Sequence, residues 1–351
     1  MAADSLRIGS VWGIKISLHW TFILLMLFIL LLSTINLFIV FLLLFVCVFI
    51  HELAHSRTAI RNKIRVSEII LTPIGGASMI DNPLVEPRTE FNIAIAGPTM
   101  SFLLGGIFGV AAALSPPGTL AFILQTTFEL NIALGILNIL PAFPLDGGRV
   151  FRSYLERRYN EFKATVITVR LSKYIAALFV IIPLVYLLLI SASLAYKAFE
   201  FFIYAIVAFF LYGGAQAELQ NTMLRRDTAG LTIGAAINRD FLEVSPRAKV
   251  GELYRLVERR GISIVITRIG GEFMLLDIFR RTVNGAALAE DLAVSIPQFK
   301  PNMGIIDALQ RMETSGKGVA VVVRGGRPVG IVTNQHLNAL ISLHLLNRRQ
   351  K

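Results

Sequence analysis

Residues 36–55, "NLFIVFLLLFVCVFIHELAH", decide the fold, because a long apolar run ends there in two histidines and a glutamate. A helix needs about 20 apolar residues to cross a bilayer, and this run approaches that length. A charged group inside such a helix costs roughly 2.5–3.5 kcal/mol at mid-helix on insertion scales. His51, Glu52 and His55 therefore need partners that offset this cost, and a bound metal ion is one such partner.

The composition of the whole chain agrees with a membrane protein. Of its 351 residues, 55% are hydrophobic and 16% are charged, whereas soluble domains carry about 25% charged residues. The mean hydropathy is +0.66. The net charge is +11, but no basic-aromatic groove or zinc-knuckle spacing accompanies it, so we expect no nucleic-acid partner.

Six apolar stretches approach the length of a membrane span, which predicts a six-span helical bundle in the lipid bilayer. They are residues 17–33, 36–56, 91–114, 119–140, 170–190 and 194–213. Basic residues follow the second, fourth and sixth stretches, whereas Lys197 is the only charge in the loops on the other side. The positive-inside rule then predicts a protein of the cell membrane with both termini in the cytoplasm.

Two features between the spans carry structural information. Residues 67–83, "SEIILTPIGGASMIDNP", are too short and polar to span, and predict a re-entrant β-hairpin buried in protein or lining a cavity. In the third span, small residues recur every four positions, at Gly97, Ser101, Gly105 and Gly109. This ridge predicts close helix packing in lipid, and we assign it no chemistry.

The composition changes after the sixth stretch, which predicts three parts. They are a membrane domain of residues 1–215, a linker of residues 216–238 and a cytoplasmic α/β domain of residues 239–351. In the last part, a helical pattern, a glycine, a short apolar strand and a Gly-Gly turn occur twice, with nine residues from Gly261 to Gly270 and from Gly316 to Gly325. This repetition predicts two tandem α/β modules.

The H-E-x-x-H pattern predicts a metal site at the end of the second span. His51 and His55 are four residues apart and share one face of a helix, so both imidazoles can reach one ion. Glu52 is placed to take a proton from an attacking water. A catalytic zinc needs a third protein ligand, and Asp146 in "NILPAFPLDGGR" is the best candidate, because spans two and four end on the same side of the membrane.

These motifs closely resemble the site-2 protease family of intramembrane zinc metalloproteases. The second motif, Asn-x-x-Pro-x-x-Pro-Leu-Asp-Gly-Gly, is the more specific of the two. The resemblance covers roughly residues 8–215. It implies one zinc ion per chain on His51, His55 and Asp146, and Glu52 as general acid and base. It further implies that Asn138 binds the substrate or the oxyanion, and that the substrates are single-pass membrane proteins.

The tail resembles a tandem pair of CBS-type (cystathionine-β-synthase) modules, which commonly bind adenosine nucleotides. In "PVGIVTNQHL", residues 328–337, Gly330 and Thr333 match the strand-to-helix element of that family, but His336 stands where an aspartate is expected. Two interpretations stay open: a tail that binds an adenosine nucleotide, and a structural tail that forms a homodimer.

A different class of protein is the alternative. A CBS-gated ion or metal transporter also buries His, Glu and Asp in its spans and has broken helices near the midplane. We favour the protease because the His-Glu pattern occurs once in this sequence and lies at the end of a span.

Overall fold

The computed structural model describes residues 5–64, 66–73, 75–80, 86–189, 193–262, 264–277 and 287–349. By its internal contacts the chain divides into two compact units, Met1–Leu224 and Arg225–Lys351. The first unit is mainly helical with one small sheet, and the second alternates short strands and helices.

Seven helices make up most of the first unit. They are α1 (Trp20–Leu32), α2 (Ile35–Arg61), α3 (Pro87–Leu114), α4 (Thr119–Ile139), α5 (Asp146–Leu155), α6 (Glu161–Leu189) and α7 (Leu194–Asp227). Among the described residues, α2, α3, α4, α6 and α7 are long and apolar enough to cross a membrane, and α1 is a shorter apolar helix of 13 residues. Their outer faces are apolar, and Leu189 and Phe209 are each about 80% exposed. Such surfaces suit lipid rather than water.

The helices extend beyond the predicted spans at several ends. Helix α2 continues for five residues past residue 56, α6 begins nine residues before residue 170, and α7 runs well past residue 213. Residue 190, the last of the predicted fifth span, lies outside the described residues. Apolar content marks the part of a helix suited to lipid, but the helical hydrogen bonding continues into polar turns beyond it.

The start of the first predicted span was wrong, because residues 17–19 belong to a strand. Strands β1 (Ser5–Val11) and β2 (Ile14–His19) form an antiparallel hairpin that the sequence did not indicate. In β2, Ile14 and Ile16 are buried on one face of the strand, as expected for a strand with one covered face, and Ser17 is buried as well. Helix α1 begins immediately after β2, at Trp20.

The predicted hairpin at residues 67–83 is present as strands β3 (Val66–Thr72) and β4 (Gly75–Ile80); residues 81–83 lie outside the described part. It completes a four-stranded sheet in the order β1-β2-β3-β4, with β2 and β3 parallel. Strand β4 is therefore an edge strand of this sheet. Its placement at membrane depth stays a prediction.

Two glycines explain how α5 packs against the end of α4. A methyl group on Gly147 would lie 2.2 Å from the carbonyl oxygen of Leu140, and one on Gly148 would lie 2.6 Å from the amide nitrogen of Phe143. Both neighbours are backbone atoms, which cannot rotate away, so only glycine permits this approach. Phe143 is buried, and its amide donates to Ser172 Oγ of α6 at 2.9 Å. The loop that leads to Asp146 is therefore held by the two glycines at the start of α5 and by Ser172 of α6.

The second unit contains the two predicted α/β modules. The first has β5 (Leu242–Val244), α8 (Val250–Arg260), β6 (Val265–Ile269), β7 (Glu272–Leu276) and β8 (Ala293–Ser295). The second has β9 (Gln298–Phe299), α9 (Ile305–Thr314), β10 (Val319–Arg324), β11 (Arg327–Thr333) and α10 (Asn334–Arg349). In each module one strand pair is parallel and crosses over through a helix, and the next pair is an antiparallel hairpin.

Candidate metal centre

Helix α2 buries the two histidines of the H-E-x-x-H pattern on one face. His51 is 3% exposed and His55 is 8% exposed, and the apolar run before them is also buried at Phe45 and Cys47. Positions four apart lie one above the other on a helix. The helix therefore presents both imidazoles in the same direction, and Glu52 lies beside the first.

Asp146 of α5, the candidate third ligand, lies beside the two histidines in the structure. Its Oδ2 atom lies 3.0 Å from His51 Nε2 and 3.1 Å from His55 Nε2. The two Nε2 atoms lie 3.1 Å from each other. Three possible metal-ligand atoms from α2 and α5 thus form a nearly equilateral triangle, and this group is a candidate metal site.

The other ring nitrogens show which atoms point into the triangle. His55 Nδ1 lies 2.7 Å from the carbonyl oxygen of Ile93, and His51 Nδ1 lies 2.8 Å from Ser101 Oγ. A carbonyl only accepts, so Nδ1 of neutral His55 carries the hydrogen and Nε2 keeps its lone pair. Ser101 is 1% exposed and can hold His51 in the same tautomer. The two unprotonated Nε2 atoms and the carboxylate oxygen then face one another with no hydrogen to share. A cation between them would bind the lone pairs of all three atoms.

The carboxylate of Asp146 stays ionised in this setting. Burial opposes its ionisation, but a cation beside a carboxylate favours the ionised form. Asp146 is also the first residue of α5, where the helix dipole favours negative charge. With a metal ion bound, the site would offer one negative oxygen and two neutral nitrogens.

This donor set fits zinc. Zinc takes His nitrogen and carboxylate oxygen, and tetrahedral bonds of about 2.0–2.1 Å separate neighbouring ligand atoms by roughly 3.3 Å. The triangle found here has edges of 3.0–3.1 Å, which are close to that spacing. Three protein ligands also leave a fourth position for a water or substrate.

Helix α3 closes one side of the triangle. A methyl group on Gly97 would lie 2.2 Å from His55 Nε2 and 2.5 Å from His51 Nε2. The small-residue ridge therefore has two roles, which corrects the interpretation of packing alone. Gly105 and Gly109 pack against Ile132 and Phe128 of α4, whereas Gly97 and Ser101 contact the histidines.

Glu52 and Asn138 are predicted to take part in the reaction without binding the metal ion. They lie on different elements, Glu52 on α2 and Asn138 at the end of α4. The side chain of Glu52 packs against the β-hairpin, since a methyl group on Gly76 of β4 would lie 2.4 Å from Glu52 Cγ. Asn138 lies half-buried in the last turn of α4. Its amide makes no hydrogen bond to any residue that the structure describes, so it can bond an external group.

Comparisons with known proteins agree with these motifs. The chain matches peptidase family M50 over residues 39–125 and 116–181, which include both histidines and Asp146. It is 35% identical over 219 residues to zinc metalloprotease MJ0392 of Methanocaldococcus jannaschii, which is 61% of this chain and 60% of that protein. The chain contains a peptidase family M50 domain.

A second relative and a solved structure are also similar to this chain. The chain is 27% identical over 317 residues to putative zinc metalloprotease Rip3 of Mycobacterium tuberculosis, covering 84% of this chain and 78% of Rip3. It is 34% identical to the solved site-2 protease from M. jannaschii, over 61% of this chain and 95% of that chain, with a TM-score of 0.47. Residues 290–342 match the CBS domain. The M50 domain is thus followed by a C-terminal CBS domain.

Sequence reasoning missed the residues that surround the M50 motifs. Ser101 contacts His51, Gly97 lies against the Nε2 atoms of both histidines, and Gly76 lies against Glu52. In the sequence, however, these positions look like helix packing and a turn. The carbonyl of Ile93 carries no side-chain signal at all. The weak signal was Ser101, a hydroxyl that interrupts a run of glycines in an apolar helix.

Proposed function

We propose that this protein is an intramembrane zinc metallo-endopeptidase, which hydrolyses peptide bonds in or near the transmembrane helices of single-pass membrane proteins. The observation that carries the proposal is the triangle of His51 Nε2, His55 Nε2 and Asp146 Oδ2, held beside Glu52 among apolar helices. Family M50 relatives named as zinc metalloproteases support the same reaction class.

One zinc ion per chain is held by His51, His55 and Asp146 in this proposal. When bound, zinc supplies Lewis-acid chemistry, which polarises a carbonyl and lowers the pKa of water toward about 7. The protein contributes the orientation of its ligands, through the Nδ1 contacts to Ser101 and Ile93. Such second contacts fix the tautomer and ring position of metal-bound histidines.

Glu52 acts as the general base and then as the general acid. It follows His51 in α2, so its carboxylate stands next to the metal ligands, and its stem is fixed against Gly76. It takes a proton from the attacking water and passes it to the nitrogen of the leaving amine. Both transfers use the same carboxylate, which returns to its starting state after each turnover.

Asn138 positions the scissile peptide. Its side chain is half-buried at the end of α4, the helix that leads through the "PAFPL" turn to Asp146. The side-chain amide donates to the carbonyl oxygen of the substrate, and this bond strengthens as negative charge develops on that oxygen. Asn138→Ala should therefore lower kcat more than it raises KM.

The edge strand β4 receives the substrate as an added strand. A substrate helix hides its carbonyls in internal hydrogen bonds, so it must unwind before hydrolysis. An extended segment can then pair with the free edge of β4. Because Gly76 of β4 lies against Glu52, a peptide on this edge passes beside the general base. Ala77→Pro or Ser78→Pro should abolish cleavage at unchanged zinc content, and normal cleavage by both variants would refute strand addition.

The transporter alternative receives no support from the comparisons, which match metalloproteases. One experiment separates the two functions. The full chain is purified in detergent, its zinc is measured, and wild type is compared with Glu52→Gln on a single-pass membrane protein. The matched control is Glu129→Gln, because Glu129 is exposed on α4 and, among the residues that the structure describes, bonds Gln125 of its own helix.

A protease predicts about one zinc per chain in all three proteins and cleavage by wild type and Glu129→Gln only. Cleavage that survives Glu52→Gln would refute the role of Glu52 and, with it, the mechanism. Ion or metal transport by both glutamate variants, without proteolysis by wild type, would instead establish the transporter.

In the second part of the proposal, the CBS tail either regulates the protease or joins two chains into a homodimer. Asn334 Oδ1 and His336 Nδ1 are buried without partners in the described part of the chain. Both follow β11, where the family resemblance places the nucleotide-binding element, and the amide of His336 donates to Thr333 Oγ1 at 3.2 Å. Calorimetric titration of the full chain with AMP tests binding. Mass measurement in detergent tests the homodimer.

A further inference from the structure

Arg152 is a buried cation close to the metal site, and the mechanism above does not use it. It lies on α5, six residues after Asp146, and is 9% exposed. Burying a charge is costly unless it is paired. Hydrophobic residues often stabilise a fold as well as a buried ion pair does. Stability alone is therefore a weak reason for an arginine at this position.

The guanidinium of Arg152 joins α5 to two other helices. Its Nη1 donates to Glu218 Oε1 of α7 at 2.8 Å, and its Nη2 donates to Glu90 Oε1 of α3. Ser153 Oγ, on the same short helix, donates to the other oxygen of Glu90 at 3.1 Å. Glu156, four residues along α5, lies 3.6 Å from Nε. Two of the three carboxylates thus tie α5 to its neighbours, whereas the third lies at the end of α5 itself.

The charge of Arg152 is secure in this setting. Burial alone would lower its pKa, but the carboxylates of Glu90, Glu218 and Glu156 outweigh burial and raise the pKa above its ordinary value. The guanidinium also lies over the ring of Phe143, 5.7 Å from the ring centroid. Arg152 therefore contacts the loop that enters α5 as well as the helices around it.

Helix α3 connects this cluster to the histidines. Glu90 lies one turn before Ile93, whose carbonyl accepts from His55. The same helix carries Ser101, which bonds His51. The Arg152–Glu90 pair therefore joins the helix that supplies Asp146 to the helix that orients both imidazoles.

We propose that Arg152 is a positioning residue, which fixes Asp146 relative to His51 and His55 by tying α5 to Glu90 of α3 and Glu218 of α7. This inference rests on the proposed metal site, but it concerns how tightly the site is held and not which bond is cleaved. Arg152 touches no reacting group and acts through Asp146.

The test measures metal retention in the full chain in detergent. Zinc-loaded protein is mixed with excess chromophoric chelator, and the rate of zinc release is followed for Glu90→Gln, Glu218→Gln and Arg152→Lys. Groups that bond metal ligands directly change metal affinity by about 10–100-fold. Arg152, Glu90 and Glu218 act on the ligands through α3 and α5, so we expect release about tenfold faster in all three, at the lower end of that range. Lysine keeps the positive charge, but its single ammonium group lacks the planar fork that lets arginine bond Glu90 and Glu218 with separate nitrogens.

Two control variants make the test specific. Glu156→Gln removes the carboxylate at the end of α5, and Arg149→Gln removes a half-exposed arginine of α5 that lies 3.9 Å from Glu90. Both should release zinc within about twofold of wild type, since neither joins α5 tightly to another helix. The melting temperature of each variant is recorded to separate positioning from global stability.

The results distinguish three situations. Faster release by the three variants and not by the controls supports the proposal. Unchanged release by Glu90→Gln and Glu218→Gln, or equal acceleration by Glu156→Gln that follows a lower melting temperature, overturns it. A wild-type protein that holds no zinc at all refutes the metal site itself, and with it the proposed function.

Discussion

At the scale of single residues, the metal site depends on atoms that do not belong to its three ligands. His51 and His55 can present their Nε2 atoms together because each Nδ1 atom has a partner, Ser101 Oγ in one case and the Ile93 carbonyl in the other. The carbonyl of Ile93 is part of the backbone and is present whatever the side chain. Ser101 is the partner that a substitution can remove.

Replacing Ser101 with alanine should weaken metal retention without removing the site. His51 then loses the contact that fixes its ring, and we expect zinc release about tenfold faster. The control is Thr99→Ala, because Thr99 lies exposed on the same helix and bonds only the carbonyl of Ile95. Equal release rates in the two variants would show that Ser101 does not orient His51.

Gly97→Ala should have a larger effect than Ser101→Ala. The new methyl group would lie 2.2 Å and 2.5 Å from the two Nε2 atoms, so α3 must move away or the imidazoles must turn. We expect loss of most bound zinc, measured by metal analysis after purification. Gly106→Ala is the matched control on the same helix, since a methyl group there meets nothing within 4 Å. Full zinc content in Gly97→Ala would contradict the described approach of α3.

At the scale of elements, the turn between α4 and α5 determines where the third ligand stands. Gly147 and Gly148 allow the first turn of α5 to pack on the backbone of Leu140 and Phe143, and α6 fixes the loop through Ser172. The "PAFPLDGG" motif is therefore a packing device that delivers Asp146 to a set position. Its glycines are as important to that delivery as the aspartate.

Gly147→Ala should displace α5, because the neighbouring atoms are backbone carbonyls that cannot rotate away. We expect a loss of about 1–3 kcal/mol in stability, typical of over-packing, together with reduced zinc content. Thermal unfolding in detergent and metal analysis measure the two effects. Gly213→Ala in α7, where a methyl group meets nothing within 4 Å, should change neither. A stable, zinc-replete Gly147→Ala protein would show that α5 tolerates a shift.

Much of the fold and site was predictable from the sequence, for physical reasons that differ between elements. Long apolar runs predict helices α2 to α4, α6 and α7. The placement of spans two and four with their ends on the same membrane side predicts that Asp146 can meet His51 and His55. The β1–β2 hairpin was not predictable, because five of the seven residues of β1 are exposed, so this strand lacks the alternation of buried and exposed side chains on which strand prediction rests. The contacts of Arg152 with Glu90 and Glu218 join residues 62 and 66 positions apart, and no local sequence pattern indicates such a contact.

At the scale of the whole molecule, the protein consists of two compact units that fold around separate cores. The tail packs its own apolar strands, with Val321 and Ile331 fully buried. In that unit Gly330 lies against other backbone, since a methyl group there would be 2.6 Å from the carbonyl oxygen of Asn238. A change at Gly330 therefore tests whether damage to the tail reaches the M50 domain.

Gly330→Ala should destabilise the tail by about 1–3 kcal/mol and leave the zinc content of the full chain unchanged. Calorimetry in detergent should show a lower transition for the tail unit only. Gly318→Ala is the control, because a methyl group there makes an ordinary contact at 4.0 Å. Loss of zinc in Gly330→Ala would show that the tail supports the metal site.

The shortness of α1 has a consequence for the lipid around the protein. Its 13 residues rise about 20 Å, against roughly 30 Å for the hydrocarbon core of a typical bilayer, and its Leu31 and Leu32 are about 70% exposed. A hydrophobic helix shorter than the membrane is accommodated by local thinning of the bilayer. We expect cleavage of one substrate to be faster in vesicles of short-chain than of long-chain lipids, and equal rates would show that α1 does not set the thickness. If cleavage is faster in the thinner bilayer, the thickness of the host membrane regulates the proposed protease without any ligand.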